Sequence, residues 1–344
     1  MLAFVGLAWA PLVAIELVVL VATGRFDRIF ESPSVHARLV VAIPMFLVAE
    51  VLFDARTSMC IRRLQDGRMV GPEEGDRLRT IVRRAAGRRD SAWVEAVLLM
   101  AAIASGQVAV WRGHTGIIGH YASGISPGLV WYGFVSLPVF LFLLYRWIWR
   151  WGSWGLMLSQ VARLRLRLIP THPDRTGGLG FLTGPIVPFG LVLFGANAVI
   201  AATFAARMVV DGASLRSFGP EVLVLLFGGE LLALGPLVFL YRRLVSDRFS
   251  GVVRYGGLAF DYGRLFDRRW VESGDTDGLL GTSDIQSMAD IQNAYRGLEE
   301  MRLVPFGRHE VLVVAILILL PMVPLVAIEF PIDELLARLV SSIV

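Results

Sequence analysis

The chain contains no lysine and a single cysteine, and it is poor in charge. All 33 of its basic residues are arginine, set against 29 acidic ones for a net charge of +4. One cysteine, Cys60, excludes an intrachain disulfide and any zinc site built from several thiolates. Charged residues make up 18% of the 344 positions and hydrophobic ones 55%, where a soluble domain has about 25% and about 45–50%. The missing charge leaves long uncharged runs that an ordinary soluble core does not need. A disordered chain and a disulfide-rich secreted domain are disfavoured by the same figures. Catalytic signatures are missing too. There is no Gly-x-Ser-x-Gly, no His-Glu-x-x-His and no dinucleotide fingerprint. His36, His114, His120 and His309 are scattered, and Asp275-x-Asp277-Gly278 is only a fragment of a calcium loop. No metal site and no cofactor are expected.

What is present is a series of apolar segments close to the roughly 20 residues a membrane helix requires. Seven are read as spans, at about 1–22, 38–54, 93–112, 128–149, 182–206, 220–241 and 311–330. The second is the weakest, being short and holding Pro44 and Glu50. Prolines inside spans are read as kinks, because lipid penalises a broken backbone ladder. The fold class expected is an all-α polytopic transmembrane bundle, one integral membrane domain over 1–344. No cleavable signal pattern precedes the first span, which is expected to act as an uncleaved anchor. Its lack of a polar lead points to a start upstream of Met1.

The arginines sort by side. Connections 55–92 and 242–310 carry ten each, connection 150–181 carries five with Arg146 just before it, and the opposite side carries seven. The positive-inside rule therefore places those three connections in the cytoplasm, with the N-terminus inside and the C-terminus outside. Trp93 and the group Trp147, Trp149, Trp151 and Trp154 fit an inner aromatic belt, and Trp111 and Trp131 an outer one.

Outside the lipid, the first connection reads as two short helices around Gly71-Pro72. It is a solvated stretch drawn to anionic lipid headgroups; nucleic acid is a poor alternative, because neighbouring acids dilute its field. The segment 151–169 is read as an interfacial helix with snorkelling arginines. Its end, Arg163-Leu-Arg-Leu-Arg-Leu168, alternates as a strand would, but no partner strand is evident. The stretch 242–270 keeps apolar residues at helical spacing and extends the sixth span. Ser283, with Gln286 three residues on, is read as a capping box opening a second helix that packs on the first. At the C-terminus, 332–343 reads as an amphipathic helix on the outer membrane face, with a subunit contact as the alternative.

Two sets of residues could carry function. Glu230 lies in the middle of the sixth span, where an unpaired charge costs about 2.5–3.5 kcal/mol on insertion scales. Gly228 and Gly229 before it let a neighbouring helix approach. Asn197, beside Gly195 in the fifth span, is the natural partner, and Gln107 in the third is within reach. Two readings stay open: a neutral Glu230 bonded to Asn197 as interhelical glue, or a proton or cation site in a pathway. Glu16, Glu50, Glu95 and Glu329 sit near span ends, from which they can reach headgroups or water. The hexapeptide shared by 11–16 and 324–329 is read as coincidence. The second set is the loop His172, Asp174, Arg175, Gly177, Gly178 and Gly180 ahead of the fifth span. Its free N–H groups could hold an anion with Arg175 assisting, although no P-loop Lys-Ser/Thr follows. A turn pinned by Asp174 or Arg175 is the competing reading.

Three runs, His172-Pro-Asp-Arg-Thr-Gly-Gly-Leu-Gly-Phe-Leu182, Ser283-Asp-Ile-Gln-Ser-Met-Ala-Asp290 and Met301-Arg-Leu-Val-Pro-Phe306, resemble a family of uncharacterised bacterial multi-pass inner-membrane proteins. The resemblance spans most of the chain. It implies a bacterial inner-membrane location and no particular activity. The expected function is a small-ion channel or transporter with Glu230 in the path. The alternative is a non-transporting scaffold or sensor acting through the cytoplasmic helices 242–306. A membrane enzyme using His172, Asp174 and Arg175 on lipid-linked substrates ranks behind both, because no complete catalytic set is visible. The expected partners are the lipid bilayer, anionic headgroups at the cytoplasmic arginines, a small ion and a second copy in a homo-oligomer.

Overall fold

Each long uncharged run forms a helix, the geometry that satisfies backbone polar groups within its own segment. The structure, a computed structural model, describes residues 2–24, 28–66, 69–112, 127–274 and 281–330. Its principal helices are α1 (Leu2–Thr23), α2 (Pro33–Gln65), α3 (Gly75–Arg89), α4 (Ala92–Arg112), α5 (Pro127–Val161), α6 (Ile186–Asp211), α7 (Gly219–Leu234), α8 (Tyr241–Phe266), α9 (Ser283–Glu299) and α10 (Arg308–Leu319). The chain is an all-α helical bundle. Among the described residues, six helical stretches are long and apolar enough to cross a membrane. The C-terminal segment 332–343, the Asp275–Gly278 fragment and the outer-loop His114 and His120 lie outside the described residues.

The second span is not the weak one the sequence indicated. It is a continuous stretch of 33 residues, Pro33–Gln65. Pro44 is accommodated by a wide π turn, Ala37–Ala42, in which the N–H of Ile43 bonds five residues back to Arg38. The same device precedes Pro138, where Leu137 bonds back to Tyr132. A wider turn makes room for a ring that would otherwise collide with the carbonyl four residues earlier. Pro236 and Pro321 instead sit in tight 3₁₀ turns, Gly235–Leu240 and Leu320–Met322.

Three of these adjustments leave a carbonyl without its usual donor, and side chains on neighbouring helices supply one. The π register before Pro138 leaves the Gly133 carbonyl facing a residue with no N–H, and Gln107 Nε2 donates to it at 2.9 Å. Pro236 cannot donate to Leu232, whose carbonyl accepts the indole N–H of Trp151. Around Pro321 the bonding shifts from four residues back to three, and Asn197 Nδ2 donates to Ile318 at 3.2 Å.

α6 runs through the centre, packed by α2 on one side and by α10 and α7 on the other. A Cβ on Gly229 would lie 2.6 Å from Ile318 Cδ1, so glycine allows α7 to approach α10 without moving that side chain. Phe53, Trp147 and Phe189 meet edge-to-face between α2, α5 and α6, with centroids 5.3–6.1 Å apart. Trp147 and Trp154 are therefore buried core residues rather than members of an interfacial belt. The sequence could not separate them from Trp149 and Trp151, because all four share one end of a helix.

The interfacial helix expected over 151–169 does not exist. α5 continues straight to Val161, and the chain then becomes extended. Leu166 forms an antiparallel bridge with Val70, and Arg167 N–H donates to Met69 at 2.7 Å. The alternation in Arg163–Leu168 was a true strand period, with leucines 164 and 166 buried and the arginines exposed. Its partner is a single residue, too short to be read as a strand. The sixth span does extend as expected, since Leu215–Val271 is helical throughout. α9 packs back along α8, with Tyr262 Oη donating to the Asp284 carbonyl at 2.9 Å and Trp270 Nε1 to its carboxylate at 2.9 Å. Thr282 rather than Ser283 holds the N-cap position of α9. Gln286 reaches forward to Asp290 at 3.0 Å instead of back, so the capping box is not formed.

The carbonyl at Leu232 gives a direct test. Trp151→Phe is expected to cost about 1 kcal/mol of stability in detergent micelles. In a Pro236→Ala background the restored N–H takes that carbonyl, and the cost of Trp151→Phe should fall by at least half. Denaturant titration of the four proteins of this cycle measures it.

Candidate functional site

The three intramembrane polar residues singled out in the sequence do not meet. Asn197 is committed to Ile318 on α10 and Gln107 to Gly133 at the start of α5. Glu230 sits on α7 with neither carboxylate oxygen hydrogen-bonded to any described residue. The pairing of Glu230 with Asn197 fails for a physical reason. The amide of Asn197 is drawn to the carbonyl that the Pro321 turn exposes, on the helix at the other side of Gly229. Glu16 also departs from expectation, being fully buried rather than at a wet outer end. Glu329 is likewise not free for headgroups, since its Oε2 accepts the N–H of Leu215 at 2.9 Å at the entry to the sixth span.

The glycine-rich loop is built around one carboxylate. Asp174 Oδ1 accepts the N–H groups of Thr176 at 2.8 Å and Gly178 at 3.0 Å, and Oδ2 accepts that of Gly180 at 3.0 Å. Such a ring of donors requires left-handed backbone. Gly177 and Gly178 supply it at φ 66 and 97, and Arg175 joins them at φ 57. A Cβ on Gly178 would come within 2.6 Å of Met69 Cε, a flexible tip that can move aside, so it is the left-handed backbone that calls for glycine there. The N–H groups that could have cradled an external anion are thus filled from within. His172 Nδ1 lies 2.8 Å from Asp174 Oδ1, and Arg175 pairs with Glu300 at 3.0 Å. Burial works against the charged form of Asp174, but the N–H donors of Thr176, Gly180 and Gly178 outweigh it and hold the carboxyl below the usual range. Both pins offered by the competing reading, Asp174 and Arg175, are in place.

The loop also joins the three arginine-rich connections. Its lead-in bridges to Val70, its Arg175 carbonyl accepts Arg302 N–H at 2.7 Å, and its exit carbonyl at Phe181 accepts the Cys60 thiol at 3.2 Å. Arg243 of α8 reaches the Leu166 carbonyl at 2.5 Å.

Sequence reasoning missed an ion ladder between α2 and α5. Glu50 takes Arg150 at 2.6 Å and Arg146 at 3.1 Å, and Asp54 takes Arg150 at 3.4 Å and Arg89 at 2.5 Å. Arg146 also reaches Glu95 on α4 at 3.3 Å. Arg150 is only 6% exposed, a depth at which an unmatched cation would be strongly unfavourable. The signal was available: two acids four residues apart and two arginines four residues apart, each pair towards the end of its span. A cavity of ≈ 110 Å³ lies beside this ladder, bounded by Phe53, Ile61, Trp154 and Met157 with Arg89 and Arg150. Among the described residues no group of three or more His, Cys, Asp or Glu is placed to hold a metal ion. His36 is engaged with the Phe30 carbonyl at 2.6 Å.

These features define a multi-pass α-helical membrane protein whose connections on one side interlock into a single layer. No protein-family model, curated protein or solved structure matches the chain.

The carboxylate at the centre of the loop makes its integrity pH-dependent. A lowered folded value means that the stabilisation is fully present above the ordinary aspartate value of about 3.9 and is lost as the pH falls through the lowered one. Asp174→Ala, which leaves three N–H groups without their acceptor, should cost roughly 2–3 kcal/mol at neutral pH. Lower protection of the Thr176, Gly178 and Gly180 amides against hydrogen exchange, each measured relative to its intrinsic rate at the same pH, is expected in the variant at neutral pH and in the parent protein only on acidification.

Proposed function

We propose that the protein is a scaffold or sensor of the bacterial inner membrane that holds a partner protein on its cytoplasmic hairpin, α8 and α9. The observation that carries this reading is a solvent-facing apolar stripe on α8. Phe249, Val253 and Phe260 are 71%, 60% and 65% exposed, and their i, i+4, i+11 spacing puts them on one face. A lone exposed apolar residue needs no explanation, but an aligned set on a long helix marks an interaction surface. The interlocking of the three connections favours the same reading, because it holds the hairpin rigidly to the bundle. Cytoplasmic placement of the hairpin, with the N-terminus inside, rests on the arginine distribution. The bacterial inner membrane rests on the resemblance of the three sequence runs. A photo-reactive residue at position 260, in the full chain in its native membrane, should give a discrete protein adduct that Phe249→Asp abolishes. Labelling of lipid alone would overturn the proposal.

A second reading, transport of a proton or small cation, is favoured by Glu230 and its two unpartnered oxygens. Against it, Asn197 and Gln107 are spent on proline-released carbonyls and do not extend a polar path from Glu230. Flux into proteoliposomes that Glu230→Gln abolishes would establish this reading. Absence of flux, or flux unchanged by the substitution, removes Glu230 from any pathway.

A further inference from the structure

The fourth and sixth spans run parallel and in step. Trp151 bonds the carbonyl of Leu232, a Cβ on Gly155 would lie 3.7 Å from Pro236, and Arg243 reaches Leu166. Between them lies a groove of ≈ 870 Å³. Its walls change character along its length. At the membrane end they are apolar, with Leu156, Leu231 and Phe239 exposed to the groove and to the outside. At the other end stand Arg163, Arg242 and Arg243, and no acidic residue lines any part of it. Arg243 is held by Asp247 at 2.8 Å and by the Leu166 carbonyl. Arg163 and Arg242 are exposed and enter no ion pair among the described residues.

We infer that this groove binds one phospholipid with a net-anionic headgroup, its phosphate on Arg163 and Arg242 and an acyl chain along Leu156, Leu231 and Phe239. The argument is one of matching. Arginine is suited to phosphate by its planar fork of donors. Basic pockets between spans at the cytoplasmic face suit anionic headgroups, each arginine contributing to the attraction. A free phosphate would use the cations and leave the apolar wall bare, and a neutral lipid would use the wall and leave two cations uncompensated. The width of the groove comes from Gly152 and Gly155 on α5 facing the Gly235-Pro236 turn. A Cβ at Gly152 would have nothing within 4 Å, so the space there is empty of protein. The inference does not depend on the scaffold reading; it requires only that the fourth and sixth spans lie in a bilayer.

The test uses the full chain in an uncharged detergent, with dioleoyl phosphatidylglycerol, dioleoyl phosphatidylcholine and inorganic phosphate as separate probes. Native mass spectrometry should show one phosphatidylglycerol retained, with the thermal transition raised. Phosphatidylcholine and inorganic phosphate should do neither. Arg163→Gln with Arg242→Gln should weaken phosphatidylglycerol binding by about tenfold or more. Gly152→Leu should abolish it by filling the groove. That variant favours the helix and meets no neighbour, so its transition without lipid should be unchanged or higher. Equal protection by inorganic phosphate would identify a small-anion site and overturn the inference. Phosphatidylglycerol binding that survives both variants would overturn it as well.

Discussion

A backbone carbonyl inside a bilayer has no water to turn to, and every proline placed in a span exposes at least one. The rest of this bundle is arranged around that constraint. Pro138, Pro236 and Pro321 release the carbonyls of Gly133, Leu232 and Ile318, which are taken by Gln107, Trp151 and Asn197 from other helices. Each bond therefore repairs one helix and fastens it to a second. The residues that look most like a polar transport path are in large part the repair kit for kinked helices. A conspicuous intramembrane amide is a functional candidate only after the nearest proline has been accounted for.

Charge follows a related logic where α2 and α5 near the connection layer. Arg150 lies too deep to be solvated singly, and the half-buried Glu50 and Asp54 compensate it across α2 and α5. The Asp174 loop repeats the pattern with backbone donors in place of arginines. In both places the charged group is satisfied by the chain itself. Among the described residues, Glu230 stands apart as a carboxylate on a span with neither oxygen hydrogen-bonded.

Much of the architecture could be read from one-dimensional patterns. The apolar runs located the membrane helices, and the helical spacing over 242–270 marked the extension of the sixth span. The strand period of Arg163–Leu168 was also written in the sequence. It was misread because its partner, Val70, is a single residue whose role exists only after two connections meet. Local spacing cannot disclose such pairings. Glu50 and Arg150 are 100 positions apart, and Asn197 and Ile318 are 121 apart. Burial was illegible for a similar reason. Glu16 and Glu329 end identical hexapeptides, yet one is enclosed by the bundle and the other caps the turn at Leu215. The candidate loop was found by its glycines and prolines, but its ligand was sought outside when it was the aspartate already within it.

The meeting of three connections at one loop also sets an order of assembly. The Asp174 ring is local and needs only residues 172–180 to close. Its bridge to Val70 joins a segment that precedes it in the chain. The bond from Arg302 to the Arg175 carbonyl joins residues 127 positions apart, with the whole sixth span between them. A chain made from its N-terminus therefore carries a half-joined layer until that span is inserted and α9 has folded back. Contacts of such separation form late and leave apolar surface uncovered while they wait. The layer is therefore complete only on a chain whose last connection on that side has arrived.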